Sequence, residues 1–309
     1  MLRKIGFASA LSVITLTSIW STSASAEPLK VVASFSIIGD FAQNVGGDRI
    51  ELTTLVGPDG DAHVYEPSPA DAVTMSKADV VLVNGLRFEG FLQRLVEASA
   101  TKASVVELTK GIEPLKMQEE EHDEAEDHQH DHGEFDPHAF QSISNAKVYV
   151  TNIAEAFCAA DAEGCDTYKA NAEAYTAKLD AADADVKAAV AAIPENERTI
   201  ITSHDAFDYF ENAYGITFLA PEGLSTEAEA SAADVAALIR QVRDDKASAI
   251  FVENITNPRL IEQISAETGV KVGGTLYSDA LSKADGPAPT YIEMMKNNIA
   301  AIKGAILGS

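Results

Sequence analysis

The sequence predicts an α/β protein of two lobes, each a parallel-rich sheet flanked by helices, with one long connecting helix between them. Three observations carry this. Apolar, β-branched runs alternate with helix-spaced segments from residue 29 to 108. The same alternation restarts at residue 198 and continues to 306. Between the two stretches, Asp166 to Ala192 is rich in Ala and contains neither Gly nor Pro. A chain of 309 residues with 46% hydrophobic content is long enough to build substantial cores.

In order, Arg3 and Lys4 precede an apolar run, Ile5 to Trp20, and small residues ending in Ala24-Ser25-Ala26. That is the pattern of a secretory signal peptide over residues 1–26. The run is short and has no stop-transfer pattern, which disfavours a membrane anchor. The first cysteine is Cys158, so the expected product is soluble, outside the cytoplasm and without a lipid anchor.

Leu29 to Phe35 reads as a strand, and Ile37, Ile38, Phe41 and Val45 as the apolar face of a helix stopped by Gly46-Gly47. Ile50 to Val56 is a second strand, and Gly57 to Gly60 a turn. Ser68-Pro69 with Asp71 starts a helix toward Met75. Val80 to Val83 is a strand, Phe88 to Ala98 a helix and Ser104 to Leu108 a strand. Asn145 to Ala159 has helical spacing, and Asp166 to Ala192 spans ~40 Å as a helix. The long helix is open to two readings, a strut between lobes or a surface helix on one of them. In the second half the strands are Arg198 to Thr202, Ile216 to Leu219, Ser248 to Val252 and Val270 to Thr275. The helices are Ala206 to Ala213, Ser231 to Asp245, Arg259 to Thr268 and a closing one within Pro287 to Ile306. The expected divisions are a first lobe over 27–144, connecting helices over 145–192 and a second lobe over 193–309.

The formal charge is −25, and removal of the leader with Arg3 and Lys4 takes it to about −27. Nucleic acid and anionic lipid are poor partners at that charge, and a cationic ligand is favoured. Cys158 and Cys165 are the only cysteines. In an oxidising compartment they are expected to form a short disulfide loop. Zinc held by the pair and buried free thiols are the alternatives.

Histidine is where the chemistry concentrates. His122, His128, His130 and His132 lie among carboxylates in the acidic run 117–134. Acidic runs are usually just solvated, but imidazoles at this density suit a divalent metal. His63 and His204 each follow a predicted strand, as does Asp279, and His138 follows Asp136-Pro137. In open α/β sheets, ligands bind beyond the carboxyl ends of strands. His63, His138, His204 and Asp279 would give three nitrogens and one oxygen, a set that tetrahedral zinc accepts. Copper(II) and nickel(II) also accept imidazole. Each residue has a plainer reading: His63 as a loop histidine, His204-Asp205 as a helix N-terminal pair, Ser278-Asp279 as a helix cap.

The segments GPDGDAHVYEPSPAD, FDPHAF, SISNAKVYVTNIAEAF, TSHDAFDYF and FVENITNPRLIEQISAETGV resemble the zinc-specific periplasmic solute-binding proteins of ABC transporters. The resemblance covers nearly the whole chain after the leader. It implies two α/β lobes joined by one long helix, with Zn²⁺ between the lobes on His63, His138, His204 and, by alignment, Asp279. Related manganese binders carry a carboxylate where this chain has His204, which implies zinc. The family's zinc members often carry a His- and acid-rich loop between the first two ligand motifs, here a collector of zinc near the cleft. The implied partners are a membrane permease and a zinc donor protein, and the implied state is a monomer. A rival is a secreted zinc hydrolase using three histidines and an open water position. No HExxH pair or clear general-base motif supports it, although Glu66 and Asp205 lie near the ligands.

Overall fold

The computed structural model describes residues 27–116, 135–228, 230–245 and 247–308. Its strands form two four-stranded sheets. The first contains β1 (Leu29–Phe35), β2 (Ile50–Val56), β3 (Val80–Val83) and β4 (Ser104–Glu107), in the order β2-β1-β3-β4. The second contains β5 (Thr199–Ile201), β6 (Thr217–Leu219), β7 (Ala249–Glu253) and β8 (Val272–Leu276), in the order β6-β5-β7-β8. Every pairing is parallel, with Leu29 opposite Ile50, Val31 opposite Val80 and Ile200 opposite Phe218. The strand order reverses beside the first strand of each sheet, which opens a crevice at the carboxyl ends. β3 is buried along its whole length and β1 nearly so. Central strands of a parallel sheet are covered on both faces, and their unbroken apolar runs follow from that.

The helices are α1 (Ser36–Gly46), α2 (Pro69–Ser76), α3 (Leu92–Ser99), α4 (Ile143–Ala160), α5 (Cys165–Ala191), α6 (Asp208–Tyr214), α7 (Ala232–Asp245), α8 (Arg259–Thr268) and α9 (Tyr291–Leu307). α2 starts in a capping box: Ser68 accepts from the Asp71 amide, and the Asp71 side chain accepts from the Ser68 amide. Two helices start more than one residue later than their periodicity predicts, and α9 begins inside its expected span. α3 begins at Leu92, after a segment in which Leu86 and Arg87 take positive φ, 52° and 65°, and buried Glu89 accepts from Ser34 and the Asn84 amide. α6 begins at Asp208, after a loop that carries His204. α9 begins at Tyr291 because Pro287 and Pro289 sit in a closed loop, where the Ser282 amide donates to the Ala288 carbonyl. β8 is shifted to Val272–Leu276, since Gly269 ends α8 in the left-handed conformation at φ 77°.

α5 lies against helices of both halves. Asn171 donates to the Val45 carbonyl and the Tyr175 hydroxyl to Asp40, both on α1. Tyr214 of α6 donates to Asp183, and Lys296 of α9 pairs with Asp185. Of the two readings of this helix, the spanning one holds. The Cys158–Cys165 disulfide closes the turn between α4 and α5, with Cα atoms 4.4 Å apart. One apolar core runs from β1 and α1 through α4 and α5 to Phe251 and α9. A second, smaller cluster lies on the other face of the second sheet: Ile201, Ile250, Val235, Leu238, Val242, Ile261 and Ile264. The period of two along β7 decides the split, with Ala249 and Phe251 toward the large core and Ile250 toward the small one.

Candidate metal centre

Four loops at the carboxyl ends of the sheets meet in one place. The first follows β2. The Gly60 amide donates to the Gly57 carbonyl, and a Cβ at Gly60 would lie 2.9 Å from Val56 and 3.0 Å from that carbonyl. The tight turn sets up Asp61, whose Oδ1 accepts from the His63 amide at 2.9 Å. The second loop repeats the device, with Asp136 Oδ1 accepting from the His138 amide at 2.8 Å. Asn84 fixes this loop from below, donating to the Pro137 carbonyl while accepting from the Tyr149 hydroxyl.

The third loop leaves β5 and carries His204. Its Ser203 and His204 amides both donate to Glu253 Oε1 at the end of β7, at 2.7 and 2.9 Å. The fourth follows β8. Gln141 donates to the Ser278 carbonyl at 2.6 Å, and the Leu281 amide donates to Ser36 Oγ at 2.9 Å. Asn298 holds Tyr277 through both backbone groups. Asp279 therefore sits on a loop clamped by residues of both halves.

His63, His138, His204 and Asp279 are all buried, and one donor atom from each lies within 4.8 Å of the others. Asp279 Oδ2 is 3.1 Å from His63 Nε2, 3.1 Å from His204 Nε2 and 3.6 Å from His138 Nε2. The Nε2 atoms of His63 and His138 are 3.4 Å apart. Zinc–nitrogen bonds of about 2.0–2.1 Å at a tetrahedral centre set neighbouring donors about 3.3 Å apart. These four spacings, 3.1–3.6 Å, bracket that edge. Asp279 Oδ1 is buried without a hydrogen-bond partner among the described residues. A buried anionic oxygen left unpaired is costly, and a divalent cation removes that cost. Phe88 stands edge-on to His63 and His138, with ring centroids 4.7 and 5.7 Å away, and keeps this side of the site apolar.

The electrostatics are those of a cation site. Burial alone would pull the His138 imidazole down, but Asp279 and Asp136 outweigh it and hold it at about 9. Burial acts the same way on His204, and Glu253 with Asp279 raises it well above the ordinary histidine value. Burial would raise Asp279, but His138 and His204 hold it well below the usual carboxylate range. Without a metal, charge on the imidazoles balances the carboxylate; with one, the metal takes over that role.

The structure brings together all four residues singled out from the sequence. Asp279 does not cap a helix, because the next helix begins twelve residues later at Tyr291. Asp205 is not at a helix start either: its amide donates to the Gly223 carbonyl, and α6 begins beyond it. Burial and the neighbouring Asp205 and Asp136 carboxylates push Asp208 up to about 7. His122, His128, His130 and His132 lie outside the described residues. Sequence reasoning missed the residues behind the ligands. Asp136 touches His138 Nδ1 at 2.8 Å and Glu253 touches His204 Nδ1 at 2.6 Å. The shared Asp-x-His spacing of Asp61–His63 and Asp136–His138 was a readable signal, whereas Glu253 gives none.

Known proteins place this geometry. Residues 31–305 match the family model described as zinc-uptake complex component A, periplasmic. The chain is 34% identical over 304 residues to the manganese-binding lipoprotein MntA of Halalkalibacterium halodurans, covering 96% of this chain and 97% of that one. It is 33% identical to the iron-binding protein YfeA of Yersinia pestis, covering 96% and 94%. Among solved structures, the periplasmic zinc binding protein TroA of Treponema pallidum superposes with a TM-score of 0.83 at 28% identity, covering 90% of this chain and 99% of that one. The Mn-bound periplasmic metal binding protein from Candidatus Liberibacter asiaticus superposes with a TM-score of 0.78 at 31% identity, covering 90% of this chain and 99% of that one. Other relatives are named substrate-binding lipoproteins of iron ABC transporters. These are binding proteins of transporters, not enzymes, and the hydrolase reading falls with that. The lipoprotein names run against the expectation of a protein without a lipid anchor; in this chain both cysteines are joined to each other. The two parallel sheets, the spanning helix and the match over residues 31–305 make this chain a member of the periplasmic zinc-uptake component A family, the metal-binding component of an ABC transporter.

Proposed function

We propose that the protein captures Zn²⁺ in the periplasm, on His63, His138, His204 and Asp279, and delivers it to a membrane permease. The observation that carries the zinc reading is His204. The named relatives are assigned manganese, iron or zinc, so the chain's own donor set has to decide. Three imidazoles and one carboxylate suit a borderline ion at four-coordination, whereas manganese favours more oxygen ligands. Zn²⁺ is cargo here: it is bound and released, and no covalent bond of the protein changes. The acidic run 117–134 serves as a low-affinity collector or as the receiving point for a zinc donor protein. The working form is a monomer.

Competition against a chelator, with Zn²⁺ and Mn²⁺ in parallel, tests the reading. The unaltered protein is expected to hold zinc far more tightly than manganese, and His204→Glu to narrow that gap. A preference of the unaltered protein for manganese overturns it. Deleting residues 118–133 is expected to keep one tight site and lower the total zinc bound. Loss of the tight site would remove the collector role.

A further inference from the structure

The two orienting carboxylates are not equivalent. Asp136 uses a single oxygen: Oδ1 accepts from both the amide and Nδ1 of His138, at 2.8 Å each. Its other oxygen, Oδ2, is buried without a partner among the described residues. Glu253 uses both oxygens. Oε1 accepts from the Ser203 and His204 amides, and Oε2 lies 2.6 Å from His204 Nδ1. That last approach is off-line for a hydrogen bond, and among the described residues neither atom has a hydrogen-bond partner. Glu253 is 3% exposed and His204 is fully buried, so water does not substitute freely.

We propose that Glu253 is a positioning residue that keeps the proton of His204 on Nδ1 and thereby leaves the Nε2 lone pair free for the metal. The proposal extends the metal-capture reading to a residue outside the ligand set. A carboxylate at this place presents only acceptors, so the nitrogen facing it must carry hydrogen. Asp279 Oδ2 faces Nε2 at 3.1 Å and is also an acceptor, so without a metal both nitrogens carry hydrogen, and the one on Nε2, between His204 and Asp279, is the one a metal displaces. The backbone makes the device strict. Two amides point at Oε1, so an amide side chain here must turn its carbonyl to them. Its NH₂ then faces His204 Nδ1, which has to accept, and the proton moves to Nε2 and blocks the metal.

Asp136 has no such strictness. An asparagine there can keep its carbonyl at Oδ1 and put its NH₂ at the Oδ2 side, leaving the His138 tautomer as it was. Among the described residues, His63 has no carboxylate bonded to its Nδ1; its loop is held through the backbone by Asp61. Of the three imidazoles, only His204 has a proton position set by a side chain that a conservative replacement would invert.

The test is the order of metal affinity across two variant series, read by chelator competition with Zn²⁺ and again with Mn²⁺. At position 253 the expected order is Glu, then Ala, then Gln. Glu253→Gln should weaken binding by about 100-fold, and Glu253→Ala by about 10-fold, within the range for partners of ligating histidines. Alanine leaves Nδ1–H free to meet water that fills the space, whereas glutamine imposes a donor. At position 136 the expected order is Asp, then Asn, then Ala. A merely structural role predicts that the isosteric Gln is the milder change. Nitrogen-15 shifts of the His204 ring in zinc-loaded protein give a second reading: Nδ1–H with Nε2 on the metal in the unaltered protein, and loss of that pattern in Glu253→Gln. Glu253→Gln that binds as well as Glu253→Ala or better, with Nδ1–H retained, overturns the proposal. Because the order is expected with either ion, a preference for manganese would overturn the zinc reading and leave this one standing.

Discussion

The two lobes use the same sheet order but hold their ligands differently. In the first lobe, His63 and His138 are each pinned by an aspartate two residues earlier, Asp61 and Asp136. In the second, the His204 loop is held by Glu253, about fifty residues away in sequence, and the Asp279 loop by Gln141 and Ser36. The first lobe sets each histidine's own amide locally, with Asn84 bracing the Pro137 carbonyl from farther along the chain. The second obtains it only once the chain has folded around it. Damage at a distance should therefore weigh more on the second lobe's ligands than on the first's.

The strongest way to break this contrast is to delete a ligand on each side. His63→Ala and His204→Ala should both lose tight zinc by more than the ~100-fold ceiling for an orienting partner, as measured by chelator competition. If either keeps tight binding, the two lobes do not share one ion.

Acidity comes next. His138 is held at about 9, above the ~6.5 of an unfolded histidine. Its contribution to the metal-free protein is fully present below pH ~6.5 and is lost as pH rises toward 9. The effect is on the order of 3 kcal/mol at one pKa unit per ~1.4 kcal/mol. Thermal unfolding of metal-free protein should fall between pH 6.5 and 9, while zinc affinity rises as protons stop competing. Calorimetry in buffers of different ionisation enthalpy should show protons released on zinc binding at pH 7. An unfolding temperature that rises over this window would remove the assigned charge balance.

A smaller effect separates local from distant support. Gln141→Ala removes the clamp on the Ser278 carbonyl and should weaken zinc by about 10-fold. Asp40→Asn, at the junction of α1, α5 and α9, is bonded to none of the four ligands and should leave zinc affinity within about threefold. The least effect on binding comes from opening the disulfide. Cys158→Ser with Cys165→Ser should cost about 2 kcal/mol in denaturant unfolding, as expected for so short a loop, with zinc binding unchanged.

The same contrast explains what the sequence made readable. The strands and helices of both halves were visible because their apolar periods are unbroken, and the long helix because Asp166 to Ala192 contains no breaker. The late starts of α3 and α6 were invisible, because the ties of Glu89 to Ser34 and Asn84 and the path of the His204 loop leave no periodic trace. His63 and His138 could be picked out, since each follows a turn or an Asp-x-His step. His204 and Asp279 needed their positions after strands. Glu253 could not be found at all: its partners are Ser203 and His204, and nothing near residue 253 points to them.

The small core behind the second sheet has a consequence for how loading would be felt. α7 and α8 cover only that face, through Val235, Leu238, Val242, Ile261 and Ile264, and they carry none of the four ligands. An ion shared by the crevice loops would slow amide hydrogen exchange at residues 202–204 and 277–281. The outer layer would go on breathing at its own rate, as a separately cooperative unit. A bound ion would thus stiffen the face where the loops converge and leave the far side of the second lobe as loose as before.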